Sequence, residues 1–138
     1  MANEKKVLTI KNNILEKCTN SKFAVDIEIP DGVTEIAREA FAGRCASGCA
    51  SLLSVVVPDS VKAIRHSAFA YCWSLQKVTL PKELEILEAS AFKNCRALEE
   101  IVIPEGISTI EYGTFNFCLK LKKNNPSKII EGYSGRRL

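Results

Sequence analysis

The chain has 138 residues, which suits one domain and leaves little room for two. A hydrophobic fraction of 46% and a mean hydropathy of +0.01 are globular values and exclude an extended disordered chain. The formal charge of +3 is uneven, because residues 119–138 carry six Lys/Arg against one Glu and leave a slightly acidic body without the broad basic footprint of a nucleic-acid binder.

No apolar run reaches the ~18 residues of a membrane span. Lys5 and Lys6 imitate the start of a secretion signal, but the apolar stretch Val7 to Ile10 is broken at once by Lys11-Asn12-Asn13, so no signal core forms. Ala2 excludes N-myristoylation. The chain therefore reads as cytoplasmic, with a surface or secreted location as the alternative if it is a trimmed fragment. Leu8, Thr9 and Ile10 on one side of Lys11-Asn12-Asn13, and residues 14–18 on the other, predict a β-hairpin, since Asn tolerates positive φ. Residues 1–24 are read as an N-terminal hairpin cap.

Residues 25–121 repeat. Pro30, Pro58, Pro81 and Pro104 are separated by 28, 23 and 23 residues, and alignment on them puts the apolar residues in columns. Three before each proline stand Ile27, Val55, Val78 and Ile101; one before stand Ile29, Val57, Leu80 and Ile103. Val33, Val61, Leu84 and Ile107 follow, then Ile36, Ile64, Leu87 and Ile110. Phe41, Phe69, Phe92 and Phe115 form an unbroken column, preceded by Ala40, Ala68, Ala91 and Thr114. The unit closes on Cys49, Cys72, Cys95 and Cys118 and on Leu52, Leu75, Leu98 and Leu121. The longer first gap is a five-residue insertion between Phe41 and Cys49.

Within each unit the segment L-x-x-V-x-L-P predicts a short strand, because alternation sends Val78 and Leu80 to one face and Thr79 to the other. Proline removes the next ladder donor and ends it. The spacing V-x-x-I-x-x-x-A-F is expected to form a tight turn or short helical return, which gives an α/β-type repeat solenoid. One unit cannot bury its own apolar face, whereas stacked rungs share a continuous core behind a parallel sheet. After Leu121 the pattern decays into Lys122-Lys123-Asn124-Asn125-Pro126, so residues 122–138 are expected to form a degenerate C-terminal cap and basic tail. The whole of 1–138 is read as a single domain.

The signature Ile29-Pro30, Val33-Thr34-Glu35-Ile36, Ala40-Phe41, repeated around Pro58, Pro81 and Pro104, resembles the leucine-rich repeats of the BspA-like surface-antigen type over roughly residues 7–121. It departs where that family often has a glycine after the second isoleucine; here stand Ala37, Arg65, Glu88 and Glu111. It also lacks the asparagine ladder of commoner leucine-rich repeats. The resemblance implies a right-handed solenoid and a role in adhesion or protein interaction, and it implies no catalytic residues.

Six cysteines invite a disulfide or zinc reading. The four in one column sit on neighbouring rungs about 4.8 Å apart, a distance that permits a bridge, but in-register side chains point the same way, which favours buried thiols packing as small apolar groups. Cys45-Ala46-Ser47-Gly48-Cys49 is half of a zinc motif without a second half, leaving a plain loop, a labile disulfide or a metal site. His66, the single histidine, lies on the turn side, away in repeat phase from the cysteines. Arg65 is expected to pair with Glu88, one rung on, and Glu88 and Glu111 to repel or stay solvated. The cationic tail is expected to be solvated, with nucleic acid, acidic protein or anionic lipid as alternatives. No cofactor and no metal is expected.

The expected function is a non-catalytic protein-interaction module using the concave sheet face, with a structural or assembly element, stacked on other solenoids or part of a larger array, as the alternative. The chain is expected to be a monomer with an unidentified protein partner, end-to-end association being the alternative. Alternation assigns two outward columns: Glu28, Val56, Thr79 and Val102, continuing to Asn125 if the ladder persists, and Asp26, Ser54, Lys77 and Glu100, continuing to Lys123. An apolar centre inside a polar rim is the anatomy of a protein-binding patch.

Overall fold

The computed structural model of the chain describes residues 8–19, 26–42 and 51–121. The hairpin comes first. Strands β1 (Leu8–Lys11) and β2 (Ile14–Cys18) pair antiparallel across a two-residue turn, with Asn12 and Asn13 both at positive φ, 50° and 65°. That conformation matches the right-handed twist of the flanking strands, and asparagine enters it at low cost. The second strand then joins the repeats, with Ile14 opposite Glu35 and Leu15 opposite Ile36.

Each of the first three repeats contributes a three-residue strand and, after the proline turn, a two-residue strand. The longer ones are β3 (Asp26–Glu28), β5 (Ser54–Val56) and β7 (Lys77–Thr79), which form a parallel sheet in the order β3-β5-β7. The shorter ones are β4 (Glu35–Ile36), β6 (Ala63–Ile64) and β8 (Ile86–Leu87), which extend the hairpin into a second sheet, β1-β2-β4-β6-β8. The two are joined by a turn in which Val33, Val61, Leu84 and Ile107 each donate an N–H to the carbonyl of the proline three residues back.

Of the two returns expected, a tight turn or a short helix, the turn is the one formed, and no helix occurs among the described residues. The fold is a repeat of parallel strands in two sheets rather than α/β. Two local causes act together. The Val-x-x-Ile segment is extended because the neighbouring rungs meet its backbone: Lys62 N–H donates to Thr34 O, Arg65 N–H to Ile36 O and Glu88 N–H to Ile64 O. The next turn then passes through left-handed backbone at Glu39, Ser67, Ser90 and Gly113, with φ between 57° and 71°, which a right-handed helix cannot contain. The backbone groups of that turn also bond from rung to rung, Phe41 N–H to Ala68 O, Phe69 N–H to Ala91 O and Phe92 N–H to Thr114 O.

Between the sheets the predicted columns are buried. Phe41, Phe69, Phe92 and Phe115 are wholly enclosed, and their rings stack nearly parallel at centroid separations of 4.7, 5.2 and 5.7 Å. Cys72, Cys95 and Cys118 are buried and free, and each thiol donates to the phenylalanine carbonyl of the preceding rung, of Phe41, Phe69 and Phe92, at 3.1 Å. They are therefore more than apolar filler: each thiol satisfies a backbone carbonyl of the preceding rung. Burial first, and the neighbouring thiol second, push Cys95 and Cys118 well above the ordinary thiol range. Thr114, which replaces alanine, turns its hydroxyl onto the carbonyl of Glu111 at 2.8 Å. Cys18, to which the sequence assigns no bridge, is buried and disulfide-bonded. Its partner is not one of the three free cysteines. The Cys45 to Cys49 loop, the basic tail, Lys123 and Asn125 lie outside the described residues.

Candidate binding surface

The outward face of β3-β5-β7 is set by register. Asp26 lies opposite Ser54, and Ser54 opposite Lys77; Glu28 lies opposite Val56, and Val56 opposite Thr79. A bridge between Lys77 and Glu100 carries the same alignment to the fourth rung. Both predicted columns are thus brought together on one face. Because Ile27, Val55, Val78 and Ile101 point into the core, their neighbours point out. Val56 is 40% exposed and Val102 67% exposed, although β-branched apolar side chains gain from burial.

The face is grooved. One depression of about 490 Å³ is lined by Lys77, Thr79, Lys82, Glu99, Glu100 and Val102, among others. A second, of about 430 Å³, is lined by Glu28, Asp31, Val56, Asp59, Thr79 and Lys82, among others. They meet at Thr79, Leu80 and Lys82. Five carboxylates against two lysines make the groove wall acidic around a strip of valine and threonine. At its first edge Ser54 donates to the Asp26 carboxylate at 2.7 Å, which holds that acid in place.

The other sheet carries a charge ladder. Arg65 donates through Nε to Glu35 at 2.8 Å and through Nη1 to Glu88 at 2.9 Å, so one guanidinium ties three rungs together. The two hydrogen bonds, to Glu35 first, raise the Arg65 pKa above its usual value. The Glu88 pairing is the one that column position predicts, whereas Glu35 belongs to another column and was not anticipated. The second Glu88 oxygen accepts the His66 backbone N–H at 2.8 Å, which assigns this histidine a place in a structural turn. Among the described residues no three metal-ligating side chains gather, and no helix is long and apolar enough to cross a membrane.

Sequence reasoning missed a second exposed group, on the turns that follow the phenylalanine stack. Trp73, Phe117 and Leu119 are exposed there. Arg96 lies over the Trp73 ring with its guanidinium carbon 5.9 Å from the centroid, and the Lys93 ammonium lies 6.0 Å from the centre of Tyr71. The available signal was the buried cysteine column, because the residue that follows each inward cysteine, Trp73, Arg96 and Leu119, is turned outward.

Parallel ladders at a fixed repeat, with a phenylalanine stack between two sheets, define a leucine-rich-repeat protein. More narrowly, the chain belongs to the BspA type leucine-rich repeat family, whose six-copy repeat region matches residues 44–134. It is similar to the solved leucine-rich repeat protein of T. pallidum, with 28% identity and a TM-score of 0.71 over 91% of this chain and 61% of that one. It is also similar to a leucine-rich cell surface protein of Faecalibacterium prausnitzii, with 31% identity and a TM-score of 0.67 over 83% of this chain and 30% of that one. A leucine-rich repeat protein of Bacteroides capillosus matches at 27% identity and a TM-score of 0.64, over 89% and 91% of the two chains. The chain thus spans about three fifths of the first of these proteins and under a third of the second. No protein of curated function matches.

Proposed function

We propose that the chain is a non-catalytic protein-interaction module, a right-handed solenoid that holds a protein partner in the concave face of sheet β3-β5-β7. The observation that carries this reading is the exposure of Val56 and Val102 along an acid-walled groove on a hydrogen-bonded sheet. A rigid sheet loses little conformational freedom on binding, so modest contacts suffice. Asp26, Ser54, Lys77 and Glu100 would form one rim, with Glu28 and Thr79 beside the valines. The acidic walls favour a partner segment bearing cations. The groove would take an extended protein segment rather than a small-molecule substrate, and the hairpin would cap the first rung.

The same reading favours an exported location over the cytoplasmic one. A disulfide at Cys18 is at home in an oxidising compartment, and one of the structural relatives is a cell surface protein. The test of the groove is the double substitution Val56→Lys with Val102→Lys, made after partner capture and checked for an unchanged melting temperature. Binding weakened at least tenfold is expected. A double variant that binds its partner as tightly as the parent chain would move the site elsewhere.

A further inference from the structure

The turns after the phenylalanine stack contain residues 70–74, 93–97 and 116–120. Those three segments hold Lys93, Arg96 and Lys120 and not one carboxylate, whereas the groove walls carry five. Their inward residues are Cys72, Cys95 and Cys118, and the residue after each cysteine, Trp73, Arg96 and Leu119, is exposed, whereas Asn94 before Cys95 is buried. Trp73 is 47% exposed, Phe117 52% and Leu119 71%. Column position sets Arg96 on the rung between Trp73 and Leu119, and Asn94 on the rung between Tyr71 and Phe117. The result is a cationic and apolar edge running across three rungs, on a different part of the repeat from the groove.

Backbone conformation gives an independent reason to regard this edge as functional. Tyr71, Asn94 and Phe117 occupy one column, and all three are left-handed, with φ of 63°, 61° and 61°. Asparagine suits that conformation, whereas a bulky aromatic is strained in it. Aromatics stand there at two rungs of three, and Phe117 is half in solvent. Strain retained at an exposed position is the mark of a site kept for binding.

We propose that this edge, built from Tyr71, Trp73, Lys93, Arg96, Phe117 and Leu119, docks an acidic protein segment whose carboxylates alternate with apolar side chains. The chemistry selects that occupant. Arg96 and Lys93 lie over the Trp73 and Tyr71 rings, so each of these aromatics presents a cation together with its apolar ring, which favours an anionic partner over a neutral one. A guanidinium held on a ring keeps its N–H edge directed outward, ready for a carboxylate. Phe117 and Leu119, both exposed, offer apolar contact. Tryptophan, tyrosine and arginine together are also the residue types that dominate binding energy at protein interfaces.

Trp73 is the single tryptophan of the chain and so reports on the edge directly. The probe is a short synthetic peptide with leucine and phenylalanine set among glutamates, titrated while Trp73 emission is followed. Lysine-for-glutamate peptide and heparin serve as comparators. The expected result is a saturable emission change with the acidic peptide, weakened by added salt, and an affinity lowered about tenfold or more in Lys93→Glu with Arg96→Glu. Circular dichroism of that variant should match the parent chain. The salt series needs no substitution and stands if the variant fails to fold. No saturable change, a salt-insensitive one, or equal affinity for the basic peptide would overturn the proposal. Heparin binding as tight as that of the acidic peptide would overturn it in favour of a polyanionic glycan.

Discussion

In the rung around Phe69, both strands are paired on both sides: Ser54–Val56 lies between β3 and β7, and Ala63–Ile64 between β4 and β8. In the rung around Phe115, Ile101, Ile103, Ile107 and Ile110 fill the same inward columns and are buried, yet among the described residues Glu100 forms an isolated bridge to Lys77 and no strand runs between residues 101 and 121. The ring separation widens in the same direction, from 4.7 Å at Phe41 to 5.7 Å at Phe115. Side-chain burial follows from the chain's own pattern, whereas strand geometry has to be completed by the backbone of a neighbouring rung. Core and ladder are separable properties of one repeat.

The largest expected effect tests that separation directly. Phe69→Ala removes a ring stacked on both sides and should cost about 3–5 kcal/mol through the cavity it leaves. Phe115→Ala, in the more loosely stacked rung, should cost measurably less. Urea midpoints decide it, and equal losses would mean that the last rung is as firmly held as the inner ones.

The thiols give a second comparison through pH. Cys95 and Cys118 have folded pKa values raised by burial, while in the unfolded chain they ionise near ~8.5. Their contribution to stability is therefore complete below about pH 8.5 and is lost as pH rises toward the higher folded values. The slope is about 1.4 kcal/mol per thiol for each pH unit. Denaturant unfolding between pH 8 and 10 should show the fall, and Cys95→Ala should shed its share of the slope. Alkylation of the native protein sharpens the contrast: Cys118 should react before Cys95 if the outer rung opens more often, and both should react at once after denaturation.

The core columns and the outward register of Val56, Thr79 and Val102 were legible in the sequence because burial imposes a period that one chain displays by itself. The hairpin was legible because Asn12-Asn13 favours a positive φ at both positions. The second sheet was not. Strands of two residues carry no period of their own, and the partners that extend Glu35 and Ile36 are 28 residues further on. For the same reason Glu35 escaped notice as a partner of Arg65: the reach of a guanidinium across columns depends on rung geometry, not on spacing. The edge around Trp73 stayed hidden because nothing in Tyr71 or Phe117 announces left-handed backbone.

The smallest expected effect concerns those two residues. Phe117→Asn should relieve left-handed strain and stabilise the fold by about 0.5 kcal/mol, seen as a rise of a few degrees or less in melting temperature. The same substitution should weaken binding of the acidic peptide. A variant that gains stability and keeps full binding would separate the strain from the site.

The stacked phenylalanines act as a ruler. Each rung advances the molecule by roughly the ~4.8 Å between neighbouring strands, and a ring, a thiol and one place in every outward column arrive together with that step. Duplication of a 23-residue unit in register would therefore lengthen both surfaces at once without requiring a new interior. Reach along a partner and identity at each step become independent variables: the number of units sets the first, and single outward residues such as Val56 or Trp73 set the second.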